Sequence, residues 1–455
     1  MPSSVRPRRA RRPVASDASA HLFAPANLIP RFAPLLPFSH VALAVSGGAD
    51  STALMHMVAA WLSNAEAGES RPEVIVLTID HGLRPASAGE ARVVASQAEA
   101  LGLPHRILPW RGEKPATGIQ AAARDARYRL LVDWCRRHGA ACLVTGHTGD
   151  DQAETMLMRL AHGSGVDGLA GMAAASELDG VTLLRPLLDL SRPALRHALT
   201  ARGVPFIDDP SNEDERFERV RIRRKLADFA EVGVTPQSLA RTAARLRDAA
   251  CALDHFTDEL IARSCTLHGG GFALVERAAL QDVPREIVRR VLERAVKVIG
   301  GRTYPLRYES LADMAGRLTR GCDLDRTAGG CRLVTRNDRL YVVREWGRMD
   351  QARHPLADGM IWDNRLRVVL SSAVDAEATI GAVGAVDWPR LRAARTELAA
   401  IPAFIGRTLP AIRRGGEVLV PYLGARLDKP DLSLHFVGKE LMPARLVERF
   451  SGEPL

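Results

Sequence analysis

The sequence has no pair of cysteines spaced as Cys-x-x-Cys, and its six cysteines are scattered along the chain. Zinc sites and iron–sulfur clusters usually take such pairs, so neither kind of site is supported, and reduced structural thiols are expected. The sequence also lacks any apolar run of about eighteen residues, which is the length that a membrane-spanning helix needs. We therefore expect a cytoplasmic protein with no membrane span.

Acidic residues are absent from the first sixteen positions, which contain five arginines (Arg6, Arg8, Arg9, Arg11 and Arg12). These arginines account for more than half of the formal net charge of +9, so the rest of the chain is only moderately basic. We predict that residues 1–25 form a basic disordered tail, because they carry too little apolar surface to fold. A polyanionic partner is compatible with this charge but is not required by it.

Short apolar runs alternate with helical patterns over residues 26–215. The predicted strands are 41–45, 74–79, 106–108, 142–145 and 182–184. This alternation predicts an α/β domain with a Rossmann-like, doubly wound parallel sheet that is covered on both faces. Ligands bind such sheets at the carboxyl ends of the strands. We therefore expect the loop after Val45 to meet the segments Asp80-His81 and Gly146-His147.

The pattern changes near Pro210. Residues 216–345 are rich in arginine and alanine and mainly helical, with a strand at 272–275 and a hairpin over 331–343. Residues 346–455 combine short strands, at 367–370 and 418–421, with one helix near 388–399. We predict a mainly helical second domain and a small α+β C-terminal domain.

Directly after the first strand comes the sequence SGGADS, followed by a helical pattern. Glycines let a backbone approach an anion closely, and the N-terminus of a helix carries partial positive charge. No Gly-Lys-Ser/Thr follows, so the loop is not a Walker A loop. It resembles the pyrophosphate loop of the N-type ATP pyrophosphatases, which implies ATP as cofactor. The predicted nucleotide-binding residues are Ser46, Gly47, Gly48, Ala49, Asp50 and Ser51.

Two further segments carry charged groups at helical spacing. In GHTGDDQAE (146–154), Asp151 and Glu154 share a helix face, where carboxylates can hold Mg²⁺ or accept a proton. In QAAARDARYRL (120–130), Arg124, Arg127 and Tyr128 form one polar face. Arginines on such a face can hold a phosphate or the edge of a base, although a solvated helix face is the more usual explanation.

Six motifs occur together in the order seen in the tRNA(Ile)-lysidine synthetases, and the sequence resembles that family over residues 41–224. The motifs are SGGADS (46–51), DHGLR (80–84), ARDARY (123–128), GHTGDDQAETMLMRLAHGSGVDGLAGM (146–172), RPLL (185–188) and DDPSN (208–212). One position departs from the family pattern: Val220 follows Arg219, where the family tends to have asparagine.

The resemblance implies a ligase that joins free L-lysine to the wobble cytidine of the isoleucine tRNA with a CAU anticodon. Oxygen O2 of the cytosine attacks the α-phosphate of ATP, pyrophosphate leaves, and the lysine ε-amine then displaces AMP at C2. At pH 7 only about one lysine amine in 2,500 is neutral, a handicap of about 4.6 kcal/mol that a base or a dry pocket must offset.

The resemblance also implies roles for individual residues. Asp151 accepts the lysine proton, with Glu154 as the rival, and Asp50 and Asp151 hold Mg²⁺. Arg127 and Arg124 position lysine or the adenylated base, and Arg219 guards the site. Residues 216–345 and 346–455 would then bind the tRNA, and a homodimer stays an open alternative.

Other functions are compatible with the SGGADS loop. A tRNA thiolase of the same superfamily also adenylates a pyrimidine oxygen, but its cytidine-type members usually need paired cysteines. An amidating ligase of the GMP- or NAD-synthetase kind would share the loop without the long 146–172 motif. A tRNA-binding protein with an inactive loop is disfavoured, because every polar position of the loop is intact.

Overall fold

The computed structural model describes residues 21–65, 69–112, 114–115, 117–209, 214–301, 306–370, 377–394, 398, 401–421, 432–438, 441–443 and 447–449. Residues 1–20 of the predicted tail lie outside this set. The chain forms two compact units, one ending at Ala250 and the other beginning at Cys251. The domain boundaries at 215 and 345 differ from this division and stay predictions.

The first unit contains a six-stranded sheet in the order β3-β2-β1-β4-β6-β5. Its strands are β1 (His40–Ala44), β2 (Glu73–Asp80), β3 (His105–Pro109), β4 (Cys142–Thr145), β5 (Ala175–Leu178) and β6 (Val181–Leu184). All neighbouring strands are parallel except β5, which pairs antiparallel with β6. The predicted parallel α/β sheet is therefore confirmed, whereas β5 was not predicted from the sequence.

Helices cover both faces of this sheet, as the alternating pattern predicts. The helices that begin and end in the first unit are α1 (Pro25–Phe32), α2 (Ala49–Ser63), α3 (Ser87–Ala100), α4 (Ile119–Arg137), α5 (Gly149–Ala161), α6 (Val166–Leu169), α7 (Arg192–Ala201) and α8 (Glu218–Ala230). Of these, α5 and α8 pack against each other. Val41 and Leu43 of β1 pack in one core with α1, α2, α3 and α7. Ala42 and Ala44 pack in a second core with α4. Because strand side chains alternate between faces, residues 41–44 of β1 are buried on both sides of the sheet, and all four are apolar.

A long helix, α9 (Pro236–Ser264), contains the division between the two units. The strands of the second unit are β7 (Cys265–His268), β8 (Phe272–Glu276), β9 (Asp325–Ala328), β10 (Cys331–Arg336), β11 (Arg339–Arg344), β12 (His354–Pro355), β13 (Ile361–Trp362), β14 (Leu366–Leu370), β15 (Thr379–Ala382), β16 (Pro410–Arg414), β17 (Glu417–Leu419), β18 (Leu432–Phe436) and β19 (Val447–Arg449). Its helices are α10 (Arg285–Gly300), α11 (Tyr308–Thr319), α12 (Gly384–Ala394) and α13 (Ala403–Gly406).

The strands of the second unit form three small sheets, in the orders β19-β7-β8-β11-β10-β9, β12-β15-β16-β17 and β13-β14-β18. The predicted hairpin over 331–343 is present as β10 and β11. The helix expected near 388–399 begins earlier, at Gly384, and the strand expected at 418–421 is Glu417–Leu419. Strand β7 was not predicted, because the helical pattern of α9 runs directly into it.

Candidate functional site

The loop between β1 and α2 is a tight glycine turn closed by serine hydroxyls. Gly47 has a φ of +88°, a conformation that glycine adopts without strain. The Ser46 backbone N–H donates to Ser51 Oγ at 3.1 Å, and the Ser51 hydroxyl donates to the Gly48 carbonyl at 3.0 Å. Gly48 caps α2 without any side-chain hydrogen bond. The first N–H groups of α2 are thus available to an anion.

Two glycines allow neighbouring segments to approach this loop closely. A Cβ atom on Gly47 would lie 2.5 Å from Ile207 Cδ1, and the Ile207 N–H donates to the Gly47 carbonyl at 2.9 Å. A Cβ atom on Gly146 would lie 2.9 Å from the Asp50 carbonyl oxygen. The end of β4 therefore lies directly against the first turn of α2, which only glycine permits.

A cavity of about 690 Å³ opens beside the loop. The lining residues are Ser46, Gly48, Ala49, Asp50, Ser51, Arg124, Arg127, Thr145, Gly146, His147, Asp151, Arg192, Arg196, Ile207, Asp208, Asp209, Arg219 and Arg223. A second cavity, of about 510 Å³, lies at the ends of β1 and β2, and His81 is part of its lining. Ser46, Arg127 and Asp209 line both cavities. The ends of β1, β2 and β4 were expected to converge, and they line two cavities that share these three residues.

Most of the predicted site residues face this space. Asp50, Asp151, Arg124, Arg127 and Arg219 all line the larger cavity. Two predicted residues do not: Gly47 packs against Ile207, and the side chain of Glu154 is only 1% exposed and lies behind Asp151.

Arg192, at the start of α7, connects carboxylates from two helices. Its guanidinium donates to Asp50 Oδ2 at 3.0 Å, to Asp151 Oδ1 at 2.8 Å and to Glu154 Oε1 at 3.2 Å. Its backbone N–H donates to Asp150 Oδ2 at 2.6 Å, which fixes the start of α7 against α5. Arg192 was not predicted as a site residue, because it is distant in sequence from all four carboxylates.

Two arginines of α8 complete the charge cluster. Arg219 donates to Asp151 Oδ1 at 2.7 Å and also to Glu154 Oε2. Arg223 donates to Glu154 Oε1 at 2.7 Å. Arg223 was not predicted, although it lies four residues after Arg219 and therefore on the same helix face. The three arginines balance three carboxylates, which lets these groups lie together away from bulk water.

Burial and charge shift the pKa values of these groups in different directions. Burial raises the pKa of Asp50 to about 6, although Arg192 opposes the shift. Burial would also raise the pKa of Asp151, but Arg219 and Arg192 outweigh it and lower the pKa. The pKa of Glu154 is likewise lowered, because hydrogen bonds from arginines outweigh burial. Burial lowers the pKa of His147, so its imidazole is neutral beside Thr145.

Arg127 is partly buried, whereas Arg124 on the same helix is exposed. Among the residues that the structure describes, none accepts a hydrogen bond from the Arg127 guanidinium, which lies 5.9 Å from the ring of Tyr128. Burial lowers the pKa of Arg127, which shows how poorly its charge is solvated. A guanidinium in this position fits an anionic ligand at the junction of the two cavities.

The second half of the long motif supports α5. The Gln152 side chain both donates to the Met172 carbonyl and accepts from the Met172 N–H, each at 2.6 Å. A Cβ atom on Gly171 would lie 2.6 Å from Gln152 Oε1. Arg159 donates to the Gly168 carbonyl at 2.7 Å. These contacts fix the rotation of α5, and so the direction in which Asp151 points.

Asp50 and Asp151 are also the residues predicted to hold a metal. Within the described ranges there is no group of three or more His, Cys, Asp or Glu side chains placed to bind a metal ion. Mg²⁺, however, commonly takes one or two carboxylates together with phosphate oxygens of a substrate. Asp50 Oδ1 is buried and has no hydrogen-bond partner. The donor set therefore fits Mg²⁺ that arrives with a nucleotide.

Comparison with known proteins gives a consistent result. A family model described as a PP-loop domain matches residues 23–229. A tRNA(Ile)-lysidine synthase of Ruegeria pomeroyi is 41% identical over 358 residues, covering 77% of this chain and 83% of the relative. One of Methylobacterium nodulans is 48% identical over 283 residues, covering 61% of this chain and 81% of the relative.

Among solved structures, the U34-tRNA thiolase NcsA of Methanococcus maripaludis aligns with a TM-score of 0.44 and 14% identity, over 50% of this chain and 80% of its own. That similarity is too low to carry an argument. Across the described helices, none is long and apolar enough to span a membrane. The two sequence relatives and the match to the PP-loop domain show that the chain belongs to the tRNA(Ile)-lysidine synthase family.

Proposed function

We propose that this chain uses ATP to join free L-lysine to C2 of the wobble cytidine in the isoleucine tRNA with a CAU anticodon. Family membership supports the reaction as a whole. One structural observation supports the assignment of this reaction to the chain. Residues of the SGGADS loop, including Asp50, line a single cavity together with Arg127 and Asp151. ATP activation and amine attack can therefore occur side by side.

In the first step, O2 of the cytosine attacks the α-phosphorus of ATP, and the bond to pyrophosphate breaks. Pyrophosphate is left against the N–H groups at the start of α2 and the hydroxyls of Ser46 and Ser51. Asp50, with Asp151 beside it, would hold Mg²⁺, which neutralises charge on the phosphates. The product of this step is a cytidine adenylated on O2.

The smaller cavity suits the nucleoside part of ATP. Its walls are partly apolar, with Leu77, Ile79 and Leu131 among the lining residues, and it joins the larger cavity at Ser46 and Arg127. An adenine that packs there would place the α-phosphate near Arg127. Arg127 would then donate to the phosphate oxygens as negative charge builds up on them.

Replacing Arg127 with methionine should slow pyrophosphate release about a hundredfold, the usual cost of losing one donor to a developing negative charge. The measurement is single-turnover release of labelled pyrophosphate from ATP and tRNA without lysine. Arg124→Met is the matched control on the same helix. Arg124 is exposed, so we expect a loss of no more than about tenfold; equal losses for both variants would contradict the assignment.

In the second step, the lysine ε-nitrogen attacks C2, and the C2–O2 bond breaks so that O2 leaves within AMP. The neutral amine passes one proton to a base as the new N–C2 bond forms, and AMP leaves with the electrons of the C2–O2 bond. We assign this role to Asp151 and not to its rival Glu154, because Asp151 lines the cavity whereas Glu154 is buried behind it. Arg124 would help to place the lysine or the base.

Arg219, which belongs to α8, is proposed to control the access of lysine to the cavity. Its guanidinium contacts Asp151 and Glu154, of which Asp151 lines the cavity and would otherwise attract the lysine ammonium. Lysine must compete with Arg219 for the Asp151 oxygens, which favours a correctly placed cation over a loosely bound one. Val220 beside it does not alter this contact, because the contact is made by the Arg219 side chain.

The tRNA body is proposed to lie on residues 216–345 and 346–455, held mainly by phosphate contacts. Arg326 and Arg336 are exposed arginines on β9 and β10. Replacing both with glutamate should weaken tRNA binding at least about tenfold and reduce the slope of log K against log salt by about two. Filter binding between 50 and 200 mM salt measures both quantities, and an unchanged slope would exclude these two contacts.

The two cysteines of the predicted catalytic domain argue against the thiolase alternative. Cys135 and Cys142 are both buried, and burial raises their pKa values to about 11 and about 12. Neither thiol is a ready nucleophile at neutral pH. A homodimer and a cytoplasmic location stay predictions.

The decisive experiment supplies the protein with ATP, labelled lysine and an isoleucine tRNA transcript with a CAU anticodon. We expect label on the RNA and one pyrophosphate released per lysine incorporated. Parallel reactions replace lysine with ammonia or with a sulfur donor. Incorporation only in one of these parallel reactions would replace the proposal with an amidating ligase or a thiolase.

A further inference from the structure

Arg192 occupies a position that three carboxylates define together. Asp50 reaches it from α2, while Asp151 and Glu154 reach it from α5. Asp50 and Asp151 are the same two residues that would hold Mg²⁺. The guanidinium therefore lies where a divalent cation would have to bind.

The surrounding backbone holds Arg192 in this place. It is the first residue of α7, Ser191 caps that helix by accepting from the Ala194 N–H at 3.3 Å, and the Arg192 N–H is bonded to Asp150. The contacts between α7 and α5 therefore hold the Arg192 side chain beside the three carboxylates. Only 21% of it is exposed, so water screens these contacts weakly.

Arg192 uses a different nitrogen for each of its carboxylate partners. Nε donates to Asp50, whereas Nη1 and Nη2 donate to Glu154 and Asp151. Loss of the Nε contact would leave Arg192 with two anionic partners. Asp50 would then have Oδ2 available beside Oδ1, which already lacks a partner.

We infer that Arg192 and the divalent cation are alternative partners of Asp50, so that the nucleotide-free protein excludes the metal and accepts it only together with ATP. The carboxylates Asp50, Asp151 and Glu154 are already balanced by three arginines, so a bare cation would add uncompensated positive charge. The phosphates of ATP supply the missing negative charge. This inference rests on the proposed use of Mg²⁺ by Asp50 and extends it to the order in which the site fills.

The test measures binding of Mn²⁺, a paramagnetic substitute for Mg²⁺, to the full chain without nucleotide, tRNA or lysine. Electron paramagnetic resonance counts free Mn²⁺ for the wild type and for Arg192→Gln. We expect Arg192→Gln to bind Mn²⁺ at least tenfold more tightly than the wild type. Adding a non-hydrolysable ATP analogue should reduce this difference, because the phosphates then draw the metal into both proteins.

Two further variants separate a direct contact from a general loss of charge. Arg196→Gln removes one charge from the same helix and cavity, but Arg196 pairs with Asp208 and not with Asp50. It should change Mn²⁺ affinity by less than about threefold. Arg192→Gln combined with Asp50→Asn should lose the added affinity. Equal effects of the two arginine variants, or a gain that persists without Asp50, would overturn the inference.

Arg192→Gln could also fail to fold, since it leaves three carboxylates with one arginine fewer. Arg192→Lys retains the charge but not the fork that reaches all three carboxylates, and it should show a smaller gain in Mn²⁺ affinity of about threefold. No gain in this variant would contradict the inference. Lysine incorporation by the wild type tests the proposed function separately, because the metal titration uses neither lysine nor tRNA.

Discussion

Replacing Asp50 with asparagine should reduce lysine incorporation at least about a thousandfold while leaving tRNA affinity unchanged. Asparagine has the shape of aspartate but no charge, so it would hold Mg²⁺ less tightly than Asp50 is proposed to do. The phosphates of ATP would then be less well neutralised and aligned for the first step. The measurements are single-turnover lysine incorporation and filter binding of the tRNA.

The control is Asp189→Asn, which also removes a carboxylate from the first unit. Asp189 pairs with Arg31 and lines neither of the two cavities at the SGGADS loop. Its loss should change turnover by less than about threefold. The wild type provides a second check: because the pKa of Asp50 is about 6, adenylation should fall as the pH drops below that value. Full activity of Asp50→Asn would remove Asp50 from the site.

The sequence predicts the central strands β1 and β4 well because they are buried on both faces. Residues 41–44 of β1 are therefore all apolar, and the glycine loop that follows marks the end of the strand. Strand β5 was not predicted because it is short and mainly polar and lies at the edge of the sheet. Its turn, Asp179-Gly180, is nevertheless a recognisable hairpin signal, since both residues have positive φ.

The charge cluster shows the limit of prediction from the sequence. Spacing on one helix places Asp151 with Glu154, so these residues could be found from α5 alone. Arg192 contacts Asp50 although the two residues are 142 positions apart in the sequence. The contact forms only because α7 packs against α2 and α5 in the folded protein. Local patterns therefore identify the residues on one helix, but they do not identify the partners that tertiary packing brings to them.

Replacing Asp151 with asparagine should slow the second step about a hundred- to a thousandfold, the usual contribution of a general base. Asp151 is a weak base at rest, because Arg219 and Arg192 lower its pKa. It can still take the proton during the reaction, since the lysine nitrogen becomes far more acidic as it bonds to C2. The first step should be slowed less than the second, because Asp50 remains to hold Mg²⁺. Adenylated tRNA should therefore accumulate, and ATP labelled at the α-phosphate measures it directly.

Three comparisons decide whether Asp151 acts on the proton or on the metal. If Asp151 mainly holds Mg²⁺, the first step is lost as well, and no adenylated tRNA forms in Asp151→Asn. If it accepts the proton, Asp151→Ala leaves a space in which formate can replace the carboxylate and restore part of the second step. Glu154→Ala should not respond to formate, because the Glu154 side chain is 1% exposed and gives the anion no access. Rescue of Glu154→Ala but not of Asp151→Ala would assign the proton to Glu154.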